Sequence, residues 1–427
     1  MYTTNAGLLL SVAFTNWWHA MAAMRYMDAV YAFAAAGTTA ALLTPPAATL
    51  ARRVGAISYP SDRGLSKRPT PELGGLAILA GVLLAVVIWV PDSIALAKVP
   101  HAPPGTPVVH TWIVMAGAGL IALVGAIDDA INLPPLIKLL GQIVAAIIAY
   151  RGGVSINDLT LPLIGALQFT DAAGPLSVIW LVALMNVVNF SDGVDGLAAG
   201  VCTIDGIAFA VIAFSLQGGG SVAAVLAATT AGASLGFLVH NFPPAKIFMG
   251  DTGSNLLGYL IGAAAIIGSL KTTVSVALAL PLLILAVPFM DTSFVVAKRL
   301  KYHRAPWNAD ANHFHHRMAR IGFSPRRTIV YLYAWTLMLA GVAIALWFVP
   351  YHTGDPHRLL WSLVMGVILL FAAAASLYLV YVLEILKFKL GRTDQLREAS
   401  PGTSEHEIDA QVRRDIETGE FEAVNRH

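Results

Sequence analysis

Apolar residues along this chain come in blocks about as long as a bilayer is thick, divided by short polar segments. Runs such as LAGVLLAVVIW (79–89) and AVLAATTAGASLGFLV (224–239) follow one another through the sequence. About 20 consecutive apolar residues are what a helix needs to cross the hydrocarbon core. Eleven such spans are predicted, roughly 27–50, 73–91, 110–127, 135–150, 175–190, 197–215, 221–240, 252–269, 273–296, 328–349 and 359–383. Backbone polar groups in lipid must be paired within their own segment, so the spans are expected to be helices. The predicted fold is therefore all-α, a polytopic membrane bundle of about 11 transmembrane helices. Residues 1–26 form an amino-terminal extension, 27–384 a transmembrane catalytic domain and 385–427 a cytoplasmic tail, which is polar, mixed in sign and expected to be disordered. Met1 to Met24 has no early basic cluster and only a short apolar core before NWWH, which is not the form of a cleavable signal peptide. The extension reads as a re-entrant or interfacial piece, or as an upstream start without a structural role.

Composition supports this reading, with 57% hydrophobic and only 12% charged residues. The single cysteine, Cys202, excludes an internal disulfide and argues against a cysteine metal site. A net charge of +2 and the lack of a basic, aromatic-interleaved patch give no sign of a nucleic-acid partner. The placement of charge is more informative. Threading the spans alternately from outside puts 22 of the 27 Lys and Arg residues on one side. By the positive-inside rule the amino terminus is then outside and the carboxyl terminus cytoplasmic.

On that topology the polar clusters gather on the cytoplasmic face: SDRGLSKRPTPELGG (61–75), AIDDAINLPPLIK (126–138), NVVNFSDGVDG (186–196), NFPPAKIFMGDTGS (241–254) and HRAPWNADANHFHHR (303–317). Asp128 and Asp129 can be read as a helix-end pair in headgroup water, yet adjacent carboxylates repel and are better neutralised by a cation. Capping of the next helix accounts for one of Asp192 and Asp195, but not for both together with Asn186 and Asn189, which share one face of a helix end. Asp251 precedes a predicted helix and reads equally as its N-cap or as a hard-metal ligand at a helix amino end, where phosphate also binds. His313, His315 and His316 lack the spacing of a helical zinc pair; with Arg304 and Arg317 nearby, phosphate contact fits them better. Asp291, near the inner end of a span, reads as a helix-packing residue or as one that supports the site's ligands from behind, and Asp205, inside a span, has no role in this picture. Oxygen ligands, glycine-rich turns and basic residues suit a divalent cation with a phosphorylated substrate, and a site at the membrane surface suits a soluble activated phosphate meeting a lipid acceptor.

These motifs, in this order, resemble the polyprenyl-phosphate N-acetylhexosamine-1-phosphate transferases (glycosyltransferase family 4). The match runs from SKRPTPELGG (66–75) through IDD (127–129), NVVNFSDGVDGLAAG (186–200), FMGDTGSNLLG (248–258) and PFMDT (288–292) to HFHHRM (313–318). The resemblance implies transfer of a sugar 1-phosphate from a UDP-sugar to a polyprenyl phosphate, releasing UMP, at a cytoplasmic site of a bacterial inner (plasma) membrane. It further implies Mg2+, with Mn2+ as a substitute. Asp128 and Asp129 would be the paired acids, Asp251 a metal ligand, and Asn189 a contact to metal or diphosphate. Lys67 and Lys138 would meet phosphates, Asp192 and Asp195 would line the nucleotide pocket, and the loop of His313, His315 and His316 would enclose sugar and diphosphate, with Arg304 beside it. Glu72, Asn186 and Arg304 complete the expected substrate contacts.

TPELGG (70–75) and ANHFHH (311–316) depart from the stretches typical of enzymes that use UDP-N-acetylmuramoyl-pentapeptide. The resemblance thus points to the UDP-N-acetylglucosamine branch acting on undecaprenyl or decaprenyl phosphate, with the pentapeptide enzyme as the alternative. It leaves a homodimer open. The lipid phosphate would attack the β-phosphorus, assisted by Asp128 or Asp129, directly or through an aspartyl intermediate. A transporter or flippase, with Asp205 and Asp291 on its path, is the competing class, but the chain shows neither broken mid-membrane helices nor an internal repeat. A structural or assembly protein would leave the five motifs unexplained.

Overall fold

A computed structural model describes residues 5–59, 68–90, 109–161, 165–169, 171–215, 222–268, 279–290, 292–293, 318, 323–349 and 358–399, with 404, 407–408 and 410–412. The chain divides into two compact units, one of residues 1–293 and 332–349 and the other of residues 294–331 and 350–427. The first unit holds α1 (Asn5–Val54), α2 (Gly74–Trp89), α3 (Thr111–Ile131), α4 (Pro135–Arg151), α5 (Ala173–Ser191), α6 (Leu197–Ser215), α7 (Val222–Asn241), α8 (Gly250–Gly268) and α9 (Ala279–Ile284). Helix α10 (Pro325–Phe348) joins it through its residues from 332 onward, and α11 (Arg358–Ala399) belongs to the second unit. Two antiparallel pairs are the only strands among the described residues, β1 (Ile57–Ser58) with β2 (Thr70–Pro71) and β3 (Asp158–Leu161) with β4 (Gly165–Gln168).

The helical expectation is met, and seven helices among the described residues are long and apolar enough to cross a membrane. Their outward faces carry the residues lipid would cover, such as Leu123 and Ile127 on α3 or Leu363 and Val367 on α11. The first expected span, 27–50, falls in a membrane-length stretch, Met27–Val54, of a helix that runs unbroken from Asn5 through Pro45 and Pro46. One expectation changes. Helix α11 continues past residue 383 to Ala399, so the first part of the expected disordered tail is helical; LEILKFKLGRTDQLREA is rich in Leu, Lys, Arg and Glu, which favour helix.

The centre of the first unit is α8. It packs against α2, α3, α4, α5, α6 and α7, and Leu256, Leu257, Tyr259, Leu260, Ala263, Ala265 and Ile266 are fully buried. Other helices surround it, so the polar residues of its GDTGSN start meet protein partners. The Tyr259 hydroxyl donates to the Val114 carbonyl at 2.8 Å, tying α8 to α3. At the other end of α3, a Cβ on Gly125 would lie 2.5 Å from the Thr252 backbone. Only glycine lets α3 approach so closely, and that approach brings the Asp128–Asp129 turn over the amino end of α8.

Candidate active site

Asp128 and Asp129 lie in the last turn of α3, which the sequence reading had ended at residue 127. A carboxylate at a helix carboxyl end meets the negative pole of that helix, and it needs compensation from elsewhere. For Asp129 the compensation is the amino end of α8. Its Oδ1 accepts the Asp251 N–H at 2.7 Å, and its Oδ2 accepts the Thr252 N–H at 3.1 Å and the Thr252 hydroxyl at 2.6 Å. Asp129 thus caps α8 from another helix, taking up amide groups that the helix leaves unpaired. Gly250 precedes it at φ +69, and a Cβ there would fall 2.3 Å from Asp129 Oδ2. Asp251, read from sequence as either N-cap or ligand, is released from capping because Asp129 does that work.

Asp251 points into the cluster. Its Oδ1 accepts from Asn189 Nδ2 at 2.9 Å and its Oδ2 from Lys138 Nζ at 2.9 Å. Lys138 also forms an ion pair with Asp128, whose Oδ1 accepts the Leu133 N–H at 2.6 Å. Carboxylate oxygens of Asp128, Asp129 and Asp251 lie within 4.8 Å of one another, a grouping that can hold a metal ion. Hard oxygen donors at this density fit a small divalent cation. The Lys138 ammonium between Asp128 and Asp251 marks the place where positive charge is wanted, and its side chain is 35% exposed.

Other predicted residues take supporting places. Asn189 also donates to Ser254 Oγ at 2.9 Å, so its amide nitrogen orients Asp251. Asn186 donates to Gln142 and to the Val182 carbonyl, both at 2.8 Å. Asp195 accepts the Ala245 N–H at 2.8 Å and Asn241 accepts the Gly196 N–H at 2.9 Å, which pins the SDGVDG turn to the loop ahead of α8. Asp192 is half-buried beside them. Burial pushes its carboxyl well above the usual carboxylate range, and Asp251, Asp129, Glu72 and Asp195 add to the shift. Glu72 is also raised, first by burial and then by Asp251 and Asp128, against a hydrogen bond with Ser58 and the Lys138 charge that lower it. Its segment is stitched to the FMGD segment, since Phe248 N–H donates to the Pro71 carbonyl and Gly74 N–H to the Phe248 carbonyl, at 2.9 and 3.0 Å. Leu73 is held at φ 72 between them, a conformation a branched side chain rarely takes.

Lys67, Arg304, His313, His315, His316 and Asp291 lie outside the described residues. Asp205 is buried in α6, and one of its oxygens has no hydrogen-bond partner among the described residues. The sequence reading missed Gln142 and Asn255. Together with Asp128, Lys138 and Asp251 they line a small cleft whose apolar side is Ile121, Val124 and Gly125. Both are uncharged and sit inside apolar spans; the one signal was a carboxamide four residues after Lys138 and another four after Asp251.

The family model described as glycosyl transferase family 4 matches residues 111–269, which hold this entire cluster. Over 366 residues the chain is 37% identical to a decaprenyl-phosphate N-acetylglucosaminephosphotransferase of Mycolicibacterium smegmatis, covering 80% of this chain and 87% of that protein. It is 34% identical to a probable undecaprenyl-phosphate N-acetylglucosaminyl 1-phosphate transferase of Bacillus subtilis, over 72% of this chain and 82% of the other. A phospho-N-acetylmuramoyl-pentapeptide-transferase of Moorella thermoacetica is 30% identical over 74% of this chain and 97% of its own length.

Proposed function

This chain belongs to glycosyl transferase family 4, and on that premise we propose that its aspartate cluster transfers N-acetylglucosamine 1-phosphate from UDP-GlcNAc to decaprenyl or undecaprenyl phosphate, releasing UMP. The observation that carries this reading is the meeting of Asp128, Asp129 and Asp251 within 4.8 Å, with the Lys138 ammonium paired to Asp128 and Asp251. The relatives that match the chain at 34–37% identity are named for this reaction, whereas the pentapeptide transferases match at 30–33%. The enzyme is a bundle of eleven spans in the bacterial plasma membrane, its amino terminus outside and its site and carboxyl terminus cytoplasmic. That orientation follows from the Lys and Arg asymmetry and meets the nucleotide sugar where it is made.

Asp251 and Asp128 would hold the metal, with the Asn189 carbonyl oxygen as a further ligand, and Mg2+ suits the all-oxygen set. Bound there, the ion would neutralise the diphosphate and the charge that develops on departing UMP. The chain supplies positioning. Asn189 holds Asp251 by one oxygen, and Asp129 fixes the helix turn from which Asp251 projects. Lys138, displaced from the carboxylates, reaches the phosphates. Asp128 accepts a hydrogen bond or a proton from the lipid phosphate, whose second pKa near 6 leaves it largely ionised at neutral pH. Orientation is then the larger part of the role. An oxygen of the lipid phosphate attacks the β-phosphorus, the bond to UMP breaks, and the new diphosphate links lipid and sugar. Asp192, Asp195 and Glu72 are assigned to the nucleotide, and Lys67, Arg304, His313, His315 and His316 are assigned to the phosphates and sugar from the resemblance of their motifs alone.

Purified protein incubated with UDP-GlcNAc, decaprenyl phosphate and Mg2+ should yield a lipid-linked GlcNAc diphosphate, read by mass spectrometry. Lipid or sugar flux across vesicles without that product would turn the reading towards transport.

A further inference from the structure

Gln142 sits one helical turn beyond Lys138 on α4, so the two side chains leave the same face of that helix. Gln142 is buried, and its carboxamide is engaged at both ends. Oε1 accepts from Asn186 Nδ2 on α5 at 2.8 Å, and Nε2 donates to Asn255 Oδ1 on α8 at 2.7 Å. Asn255, also buried, donates in turn to the main-chain carbonyl of Asp251 at 2.9 Å. Three carboxamides on three helices therefore form one directed chain, and it ends on the residue that faces the cluster.

Stability alone is a weak reason for this chain. Hydrogen bonds between membrane helices contribute about 0.6 kcal/mol on average, and apolar side chains of the same size would pack the same space. Location is the stronger reason. Helices α4 and α8 meet along little of their length, and among the described residues the Lys138–Asp251 pair and the Gln142–Asn255 bond join them. When Lys138 leaves Asp251 for a phosphate, the Gln142–Asn255 bond still joins α4 to α8.

We propose that Gln142 is a positioning residue, acting through Asn255 and Asn186 to fix α4 against α8 and so to set where Lys138 stands relative to Asp251 during transfer. This rests on the transferase function proposed above. Misplacement of about 1 Å near a reacting centre costs on the order of a hundredfold in rate. A group that orients the transition state lowers kcat without weakening substrate binding.

The test compares wild type, Gln142→Met, which keeps the volume, and Gln142→Asn, which keeps the amide but shortens its reach, by steady-state UMP release and thermal melting in the same detergent. We expect kcat to fall by about tenfold to a hundredfold, with KM for UDP-GlcNAc within about threefold and a melting temperature close to wild type. The exchange Gln142→Asn with Asn255→Gln, which restores two amides of the same summed length, should recover part of the loss. If Gln142→Met does not fold, Gln142→Asn decides by the same figures. Turnover per folded molecule near wild type, a rise in KM with kcat unchanged, or failure of both variants to fold would each overturn the proposal. A wild type without UMP release would instead overturn the function on which it rests.

Discussion

Oδ1 of Asp129 accepts the backbone N–H of Asp251 at 2.7 Å, joining residues 122 positions apart in the chain. One aspartate of the adjacent pair is thereby committed to holding a helix end, while the other, Asp128, shares Lys138 with Asp251. Two neighbours in sequence have separate tasks because a helix turn points them in different directions.

Replacing Asp129 should therefore hurt folding as well as activity. Asp129→Ala leaves the Asp251 and Thr252 amides without their acceptor, and loss of an N-cap costs about 1–2 kcal/mol. Asp251→Asn leaves that cap in place. Thermal melting in detergent should show Asp129→Ala well below wild type and Asp251→Asn near it, while metal titration should show the Asp251→Asn affinity falling furthest. The reverse order would exchange their roles.

Lys138 stands where the site wants a cation. Lys138→Met should leave Asp128 and Asp251 facing each other without compensation, so the variant should melt below wild type in a chelator. A divalent cation should then stabilise the variant more than it stabilises wild type, since it no longer displaces an ammonium. Saturation at 100 times Kd stabilises by about 2.7 kcal/mol, which a melting shift resolves. Equal shifts in both proteins would mean that metal and ammonium do not compete.

Gly250 allows both the left-handed turn and the contact of Asp129 with α8. Gly250→Ala should strain the backbone by about 1–2 kcal/mol and drive a Cβ into Asp129, 2.3 Å away. Activity should fall at least as far as in Asp129→Ala. Near wild-type turnover in this variant would contradict the capping geometry.

Asp192 gives a pH signature. Its folded pKa is raised by burial and by four acidic neighbours, so its contribution to stability is present below the ordinary aspartate pKa of about 3.9 and is lost as pH rises through the raised value. Asp192→Asn should melt above wild type at neutral pH without metal, and the gap should close as pH falls toward that ordinary value. Parallel melting curves across the pH range would remove the carboxyl from the acidic cluster.

The sequence made some of this legible and hid the rest, for physical reasons. Charges are costly in lipid, so Asp128, Asp129, Lys138 and Asp251 stand out at the edges of apolar blocks, and counting Lys and Arg gives the expectation that they share one side of the membrane. The division of labour between Asp128 and Asp129 did not show, because it depends on which way the last turn of α3 points and on how closely Gly125 lets α3 approach Thr252. Gln142 and Asn255 carry no charge and sit inside spans, so hydropathy absorbs them. The central place of α8 was hidden too, since length and apolarity do not distinguish a helix wrapped in protein from one facing lipid. Helix α1 begins earlier than residue 27 because the polar residues around NWWH do not break a helix; they only lower its hydropathy.

The account turns on metal-assisted transfer from a nucleotide sugar to a lipid phosphate at Asp251. Its most direct test is UMP release by the purified protein, with UDP-GlcNAc or UDP-MurNAc-pentapeptide as donor, with and without polyprenyl phosphate and Mg2+, beside Asp251→Asn. The account predicts release from UDP-GlcNAc that needs both lipid and metal and is lost in Asp251→Asn. Release from the pentapeptide donor alone, or undiminished release by the variant, would contradict it.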